Sequence, residues 1–199
     1  MKRVFAFLLA GFMASFSPHL LAANFLEKKV VKIGEAVPDF ELKDTAGRTH
    51  RLSSYRGKPV MIHFWSATCP FVVRYDDQIQ EIAKDFSGRD VVVLGVDSNS
   101  NETPKQIKEV AGKRKINYPI LIDAGNQVAD QFGAITTPHV FLVDREGKLI
   151  YEGAVDDQGW SESNPVTKWY VRENIEAYLK GSPLPYSVTK SVGCTVKRA

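Results

Sequence analysis

Two cysteines, Cys69 and Cys194, offer the most distinctive chemistry in this 199-residue chain. Cys69 lies between a buried-strand pattern and a helical pattern, so we expect it in the first turn of a helix. Backbone N–H groups and the helix dipole favour negative charge there, which stabilises a thiolate. We therefore expect Cys69 to be an ionised, solvent-reachable nucleophile to which the tail brings Cys194. The alternative is a buried Cys69 that packs as a small apolar side chain.

The residues around Cys69 fit the start of a helix. Ser66 and Thr68 are placed to cap the helix or to hydrogen-bond the thiolate. Pro70 follows at a position where the missing N–H costs nothing. We therefore assign Ser66 and Thr68 to the catalytic group together with Cys69 and Cys194.

The composition is that of one globular domain. Hydrophobic residues make up 44% of the chain and charged residues 25%, which excludes a disordered or collagen-like protein. The formal charge is +3, but Lys2 and Arg3 lie in a predicted leader, which leaves 24 basic against 23 acidic residues, or +1. This balance predicts no nucleic-acid partner.

The N-terminus predicts export. Lys2-Arg3 precedes an uncharged stretch from Val4 to Leu26 with small residues at Leu21-Ala22-Ala23, which is typical of a secretory signal peptide. We predict a signal peptide over 1–23 and one domain over 24–199, located in the periplasm or secreted. An uncleaved anchor is the competing interpretation. No other segment has the length and hydropathy to span a membrane, so we expect no stable membrane insertion.

The hydropathy pattern predicts an α/β fold. Apolar runs at 58–65 and 91–96 are each followed by a helical pattern, which predicts two parallel strands. A hairpin opens the domain, another occupies 139–153, and a last helix is predicted from Asn164-Pro165 to Gly181 with Trp169 facing inward. The expected architecture is a central mixed sheet with helices on both faces, followed by a tail over 181–199 without clear periodicity.

The segment from Phe64 to Val72, FWSATCPFV, resembles the active-site segment of thioredoxin-fold proteins. Cys69 matches the first cysteine of C-x-x-C, and Val72 stands where the second would be. Thr136-Thr137-Pro138 resembles the cis-proline loop that faces the active cysteine in that fold. The segments from Gly34 to Phe40 and from Leu52 to Pro59 resemble the opening of alkyl hydroperoxide reductase and thiol-specific antioxidant domains.

Further segments, CPFVVRY, VLGVDSNSN, TPHVFLVDREGKLIYEGAVDD and the terminal GCTVK, resemble a peroxiredoxin-like branch of secreted redoxins. The resemblance implies a thioredoxin-like fold and thiol redox chemistry. It departs from peroxiredoxins at Ile62, which stands at their proline position. Arg74 is the candidate for the arginine that polarises a peroxide. Valine at position 72 excludes conventional C-x-x-C exchange.

Three roles for Cys194 stay open. It is a resolving thiol that converts an oxidised Cys69 into a disulfide, a permanent structural partner of Cys69, or a cysteine that is unpaired or pairs between chains.

Two classes of function follow. The first is an exported thiol peroxidase or thiol-disulfide oxidoreductase that acts on a peroxide or a protein disulfide and is regenerated by an external dithiol. The second is a catalytically silent thioredoxin-fold binding module with a structural Cys69-Cys194 disulfide. We expect no cofactor and no metal, since Cys69 and His139 alone make a weak ligand set. His63 is predicted to pack in the core. The predicted substrate-binding residues are Trp65, Pro70, Thr137 and Pro138.

Overall fold

A computed structural model describes residues 30–198 of the chain. The predicted signal peptide over 1–23 lies outside these residues. No helix of the described part is long and apolar enough to cross a membrane.

A seven-stranded mixed sheet forms the centre of the domain, in the order β2-β1-β5-β4-β3-β7-β8. The two apolar runs predicted as parallel strands pair in parallel along their full length. Strand β3 is fully buried and has β4 on one side and antiparallel β7 on the other. The strands of this sheet are β1 (Glu41–Asp44), β2 (Thr49–Arg51), β3 (Val60–Trp65), β4 (Val92–Asp97), β5 (Ile120–Ile122), β7 (Val140–Val143) and β8 (Leu149–Gly153).

Helices cover both faces of the sheet, as the sequence predicts. Helices α1, α2 and α4 share one apolar core with the sheet, and α3 belongs to the core on the opposite face. Thr103 caps α2 by accepting the N–H of Gln106 at 3.2 Å, which confirms the predicted helix start. The helices are α1 (Pro70–Ser87), α2 (Pro104–Lys113), α3 (Gln127–Phe132) and α4 (Tyr170–Leu179).

Helix α4 begins later than the sequence pattern indicates. The predicted start at Asn164-Pro165 is wrong, because the preceding chain is held by the carboxylate of Asp157, which accepts the N–H groups of Thr167 and Lys168 at 2.8 and 3.0 Å. The prediction that Trp169 faces inward is also wrong, since this N-cap residue is 42% exposed.

The tail contains a strand that the sequence pattern does not reveal. Strands β6 (Thr136–Thr137) and β9 (Cys194–Thr195) pair antiparallel in a separate two-stranded sheet. Such a short strand leaves no periodicity to detect. This pairing places the end of the chain beside the carboxyl end of β3.

Candidate active site

Cys69 occupies the junction between β3 and α1. It is the N-cap residue of α1, with Pro70 at the first helical position. The hydroxyl oxygen of Ser66 accepts the N–H of Cys69 at 3.1 Å, which fixes the turn between strand and helix. Cys69 is only 2% exposed, so the expectation of a solvent-reachable sulfur is wrong. The Thr136–Thr137 strand and the C-terminal strand cover it.

The loop before β7 faces the Cys69 sulfur. The Thr137-Pro138 peptide bond is cis, as the resemblance to the thioredoxin fold implied. The Cys69 thiol donates a hydrogen bond to the Thr137 carbonyl oxygen at 3.0 Å. Neither cysteine is in a disulfide, so the described state is the reduced form.

Cys194 lies next to Cys69. Strand β9 aligns Cys194 with Thr137, whose carbonyl oxygen contacts the Cys69 sulfur, and Cys194 packs against the core cluster that includes Cys69. Burial and the neighbouring Cys69 raise the pKa of Cys194 to about 11. The structure brings together the two cysteines that lie 125 positions apart, 194 minus 69.

Gly193 permits this close approach of the tail. A Cβ atom at this position would lie 2.1 Å from the Thr137 carbonyl oxygen and 2.7 Å from its carbon. Real atoms do not approach so closely, so a residue with a side chain forces the tail away from Thr137. Close packing of the tail on Thr137 therefore requires glycine directly before Cys194.

The hydroxyl groups near Cys69 are turned away from its sulfur. Ser66 and Thr68 both donate their hydroxyl hydrogens to the carboxylate of Glu102, in the case of Ser66 at 2.7 Å. The N–H groups of Ala67 and Thr68 also point to Glu102, at 2.7 and 3.0 Å. We expected one of these hydroxyl groups to cap the helix or to hydrogen-bond the Cys69 thiolate. In the structure both hydroxyl hydrogens are donated to Glu102 instead, because a buried carboxylate is a strong acceptor. Ser66 does assist the helix start, through its acceptor contact to Cys69.

A second carboxyl group, that of Asp97, lies beside Glu102. Burial and the neighbouring Glu102 raise the pKa of Asp97 to about 8, so Asp97 is the protonated partner at neutral pH. Burial alone would raise the pKa of Glu102, but hydrogen bonds from the Ser66 and Thr68 hydroxyls and from the Ala67 N–H lower it below its ordinary value. The pair therefore carries one negative charge, located on Glu102.

Trp65 is buried and does not line a substrate surface. It is 0% exposed, and its indole N–H donates to Asp76 at 3.3 Å. This burial does not fit its predicted role in substrate binding. Arg114 pairs with Asp76 at 3.2 Å and donates to the Ala67 carbonyl oxygen at 2.7 Å. Arg114 and Glu102 thus both bind the turn before Cys69, through the carbonyl oxygen and the N–H of Ala67.

Pro70 is exposed and borders a small pocket of about 60 Å³ beside the start of α1. Trp160 is 65% exposed and packs edge-on against Phe71, with ring centroids 5.3 Å apart. Arg74 donates to the carbonyl oxygen of Gly159 at 2.8 Å, so its guanidinium is directed at the loop that carries Trp160. The pocket is lined by Pro70, Phe71, Arg74, Trp160 and Glu162.

The two histidines near the site are neutral. His63 is 0% exposed, and burial lowers its pKa to about 3, which agrees with the predicted core position. Burial lowers the pKa of His139 to about 4, and its ring packs against Phe141 with centroids 4.4 Å apart. Among residues 30–198, no group of three or more His, Cys, Asp or Glu side chains is arranged to hold a metal ion.

Sequence reasoning missed Glu102, Asp97 and Arg114. Asp97 and Glu102 border the polar run that follows β4, at the edge of the sheet where Cys69 follows the parallel strand β3. Side chains after neighbouring parallel strands meet at one edge, so this run was a usable signal. Arg114 follows α2 and left no such signal.

A helix-start cysteine that faces a cis-proline loop at the edge of a mixed sheet defines a thioredoxin-fold redoxin. The chain belongs to the AhpC/TSA family, whose model matches residues 33–152. Cys194 lies beyond the matched residues.

Relatives named for thiol redox chemistry are among the proteins that this chain resembles. The chain is 34% identical over 137 residues to the thiol-disulfide oxidoreductase ResA of Geobacillus thermodenitrificans, which covers 69% of this chain and 78% of the relative. A hypothetical protein from Sinorhizobium meliloti is 30% identical with a TM-score of 0.78, over 86% of this chain and 97% of its own. The lipoprotein thioredoxin Etrx1 of Streptococcus pneumoniae is 30% identical with a TM-score of 0.57, over 72% and 99%. The chain is accordingly an oxidoreductase of the thiol-disulfide class.

Proposed function

We propose that this protein is an exported thiol-disulfide oxidoreductase in which Cys69 and Cys194 cycle between a dithiol and a disulfide. The proximity of the two cysteines carries the proposal, because Cys194 pairs with Thr137, whose carbonyl oxygen lies 3.0 Å from the Cys69 sulfur, and disulfide formation requires Cβ atoms only about 4 Å apart. The predicted signal peptide supports a location in the periplasm or outside the cell. Membership of the peroxiredoxin-like branch stays a prediction.

The cycle begins when strand β9 leaves Thr137 and exposes Cys69. The Cys69 thiol loses its proton to solvent, and the resulting thiolate attacks a sulfur of the substrate disulfide, forming a mixed disulfide and releasing one substrate thiolate. Cys194 then loses its proton to solvent, and its thiolate attacks the Cys69 sulfur. This step releases the second substrate thiol and leaves the Cys69-Cys194 disulfide. An external dithiol returns two electrons and restores both cysteines.

The tail and the substrate compete for one site in this cycle. The resemblance to thioredoxin assigns Thr137 and Pro138 to binding an extended partner peptide, and in the reduced form β9 occupies the Thr137 main chain. Return of β9 therefore displaces the substrate chain while it delivers Cys194. The pocket beside Pro70 adjoins this path and supports binding of one substrate side chain.

Thiol-disulfide exchange is favoured over peroxide reduction by the contacts of the polar groups. A peroxide mechanism needs donors that polarise the O–O bond next to the thiolate. The hydroxyl groups of Ser66 and Thr68 instead donate to Glu102, and Arg74 donates to the Gly159 carbonyl oxygen. Peroxidase activity is therefore the outcome to be excluded by experiment.

The test compares the mature chain with Cys69→Ser and Cys194→Ser in reduction of a disulfide-bonded protein by dithiothreitol. We expect the wild type to accelerate reduction, Cys69→Ser to be inactive, and Cys194→Ser to accumulate a mixed disulfide detectable by intact mass. Equal activity of all three proteins would refute the proposal. Faster oxidation of Cys194→Ser by hydrogen peroxide than by the disulfide protein would assign a peroxidase instead. A Cys69-Cys194 disulfide that resists mild reductant would assign the silent binding module.

A further inference from the structure

The last residue of β4 and the loop that follows it contact both segments that carry a cysteine. Residues 97–102 read Asp-Ser-Asn-Ser-Asn-Glu, and we refer to them as the 97–102 segment. Its last residue binds the turn before Cys69. Its middle residues bind the chain just after Cys194. One short segment therefore holds the two sulfur-bearing parts of the chain relative to each other.

Glu102 forms the contact to the Cys69 side. Its carboxylate accepts the N–H groups of Ala67 and Thr68 and the hydroxyl hydrogen of Ser66. The Ser66 oxygen in turn accepts the N–H of Cys69. Glu102 is only 7% exposed, so water cannot readily replace it as the acceptor. The position of the Cys69 backbone thus depends on Glu102 through Ser66.

Asn99 forms the contact to the Cys194 side. Its Oδ1 accepts the N–H of Lys197 at 3.0 Å, three residues after Cys194. Its Nδ2 donates to the carbonyl oxygen of Trp65 at 3.3 Å and to Asp97 at 3.1 Å. The Asn99 side chain is therefore anchored at the ends of β3 and β4.

The next residue adds a main-chain contact to the tail. The N–H of Ser100 donates to the carbonyl oxygen of Lys197 at 2.8 Å. Lys197 is thus bound through both its N–H and its carbonyl group, as in a strand pairing. Together with the pairing of β9 to β6, these bonds limit how far Cys194 can move from Cys69.

We infer that the 97–102 segment sets the position of Cys194 against Cys69, with Asn99 and Glu102 as positioning residues that determine how readily the disulfide closes. This inference rests on the proposed function. Closure breaks two S–H bonds and forms one S–S bond. The two electrons and two protons pass to an oxidant, for which oxidised glutathione serves as the probe, yielding two molecules of reduced glutathione. Disulfide geometry tolerates little displacement, so loosening either contact lowers the stability of the disulfide.

The test is a redox titration of the mature chain in glutathione buffers, with the disulfide measured by alkylation and intact mass. We expect Asn99→Ala and Glu102→Gln each to lower the disulfide equilibrium constant about tenfold, which raises the midpoint potential by about 30 mV. Asn117→Ala is the matched control. Its side chain donates to the Gln80 carbonyl oxygen on the surface, so its midpoint should equal the wild-type value.

A double variant tests the proposed contact directly. Lys197→Pro deletes the N–H that Asn99 accepts, so it should shift the midpoint as Asn99→Ala does. The combined variant should shift the midpoint by less than the sum of the two single shifts, because both remove the bond between the Lys197 N–H and Asn99. Additive shifts would contradict the assigned contact.

The possible failures are distinguishable. Midpoints of Asn99→Ala and Glu102→Gln that equal the control overturn the inference and leave the proposed function intact, even if the reduced variants melt at lower temperature. A wild-type chain that forms no Cys69-Cys194 disulfide at any glutathione ratio refutes the proposed function itself. If Glu102→Gln does not fold, Asn99→Ala and Lys197→Pro decide the outcome.

Discussion

Gly193→Ala tests whether the packing of the tail on Thr137 controls the cysteine pair. The added Cβ would lie 2.1 Å from the Thr137 carbonyl oxygen, about 1 Å short of the roughly 3.3 Å at which carbon and carbonyl oxygen ordinarily meet. Thr137 cannot retreat, because it is 1% exposed and its oxygen accepts the Cys69 thiol. The tail must therefore move by about 1 Å, which breaks hydrogen bonds between β6 and β9.

The expected magnitude follows from these bonds. Loss of two main-chain hydrogen bonds at about 1 kcal/mol each weakens docking of the tail by about 2 kcal/mol, or roughly thirtyfold. The Cys69-Cys194 disulfide should become less stable by the same factor, which raises its midpoint potential by about 45 mV.

A glutathione titration of Gly193→Ala measures this shift. Gly112→Ala is the control, because Gly112 lies within α2 and a Cβ there meets no atom within 4 Å. We expect the control to keep the wild-type midpoint. A Gly193→Ala midpoint within a few millivolts of the wild type would refute the steric argument.

Two further predictions concern buried titratable groups. Asp97 has a pKa of about 8 in the folded chain against an ordinary 3.8, so folding is progressively disfavoured as the pH rises from about 4 to 8; Asp97→Asn should remove this slope, up to about 1.4 kcal/mol per pH unit, in urea unfolding. His63 has a pKa of about 3, and neither ring nitrogen has a hydrogen-bond partner among the described residues; folding is therefore progressively disfavoured as the pH falls below about 6.5. His63→Leu should raise the unfolding free energy by about 1 kcal/mol at pH 7 and by more at pH 5, and an equal or lower value at both pH values would contradict this account.

Hydropathy patterning predicted the centre of the sheet because β3 is fully buried, β4 is nearly so, and the helices that follow them bury one face. The apolar runs at 58–65 and 91–96 became β3 and β4, and the helix after Cys69 runs from Pro70 to Ser87. Local signals also placed the cap of α2 at Thr103. The start of α4 was not predictable in this way, because Asp157 binds the preceding chain through contacts ten and eleven residues away.

The identity of the two cysteines and the position of Cys69 at a helix start were determined by the sequence alone, because both depend on residue type and local periodicity. The tertiary structure decided the burial of Cys69, the contact with Cys194 and the use of the Ser66 and Thr68 hydroxyls by Glu102. These features arise where segments distant in sequence meet, and no local pattern encodes such a meeting. The two-residue strand β9 completes the site. It can pair with β6 because Gly193 has no side chain to clash with Thr137.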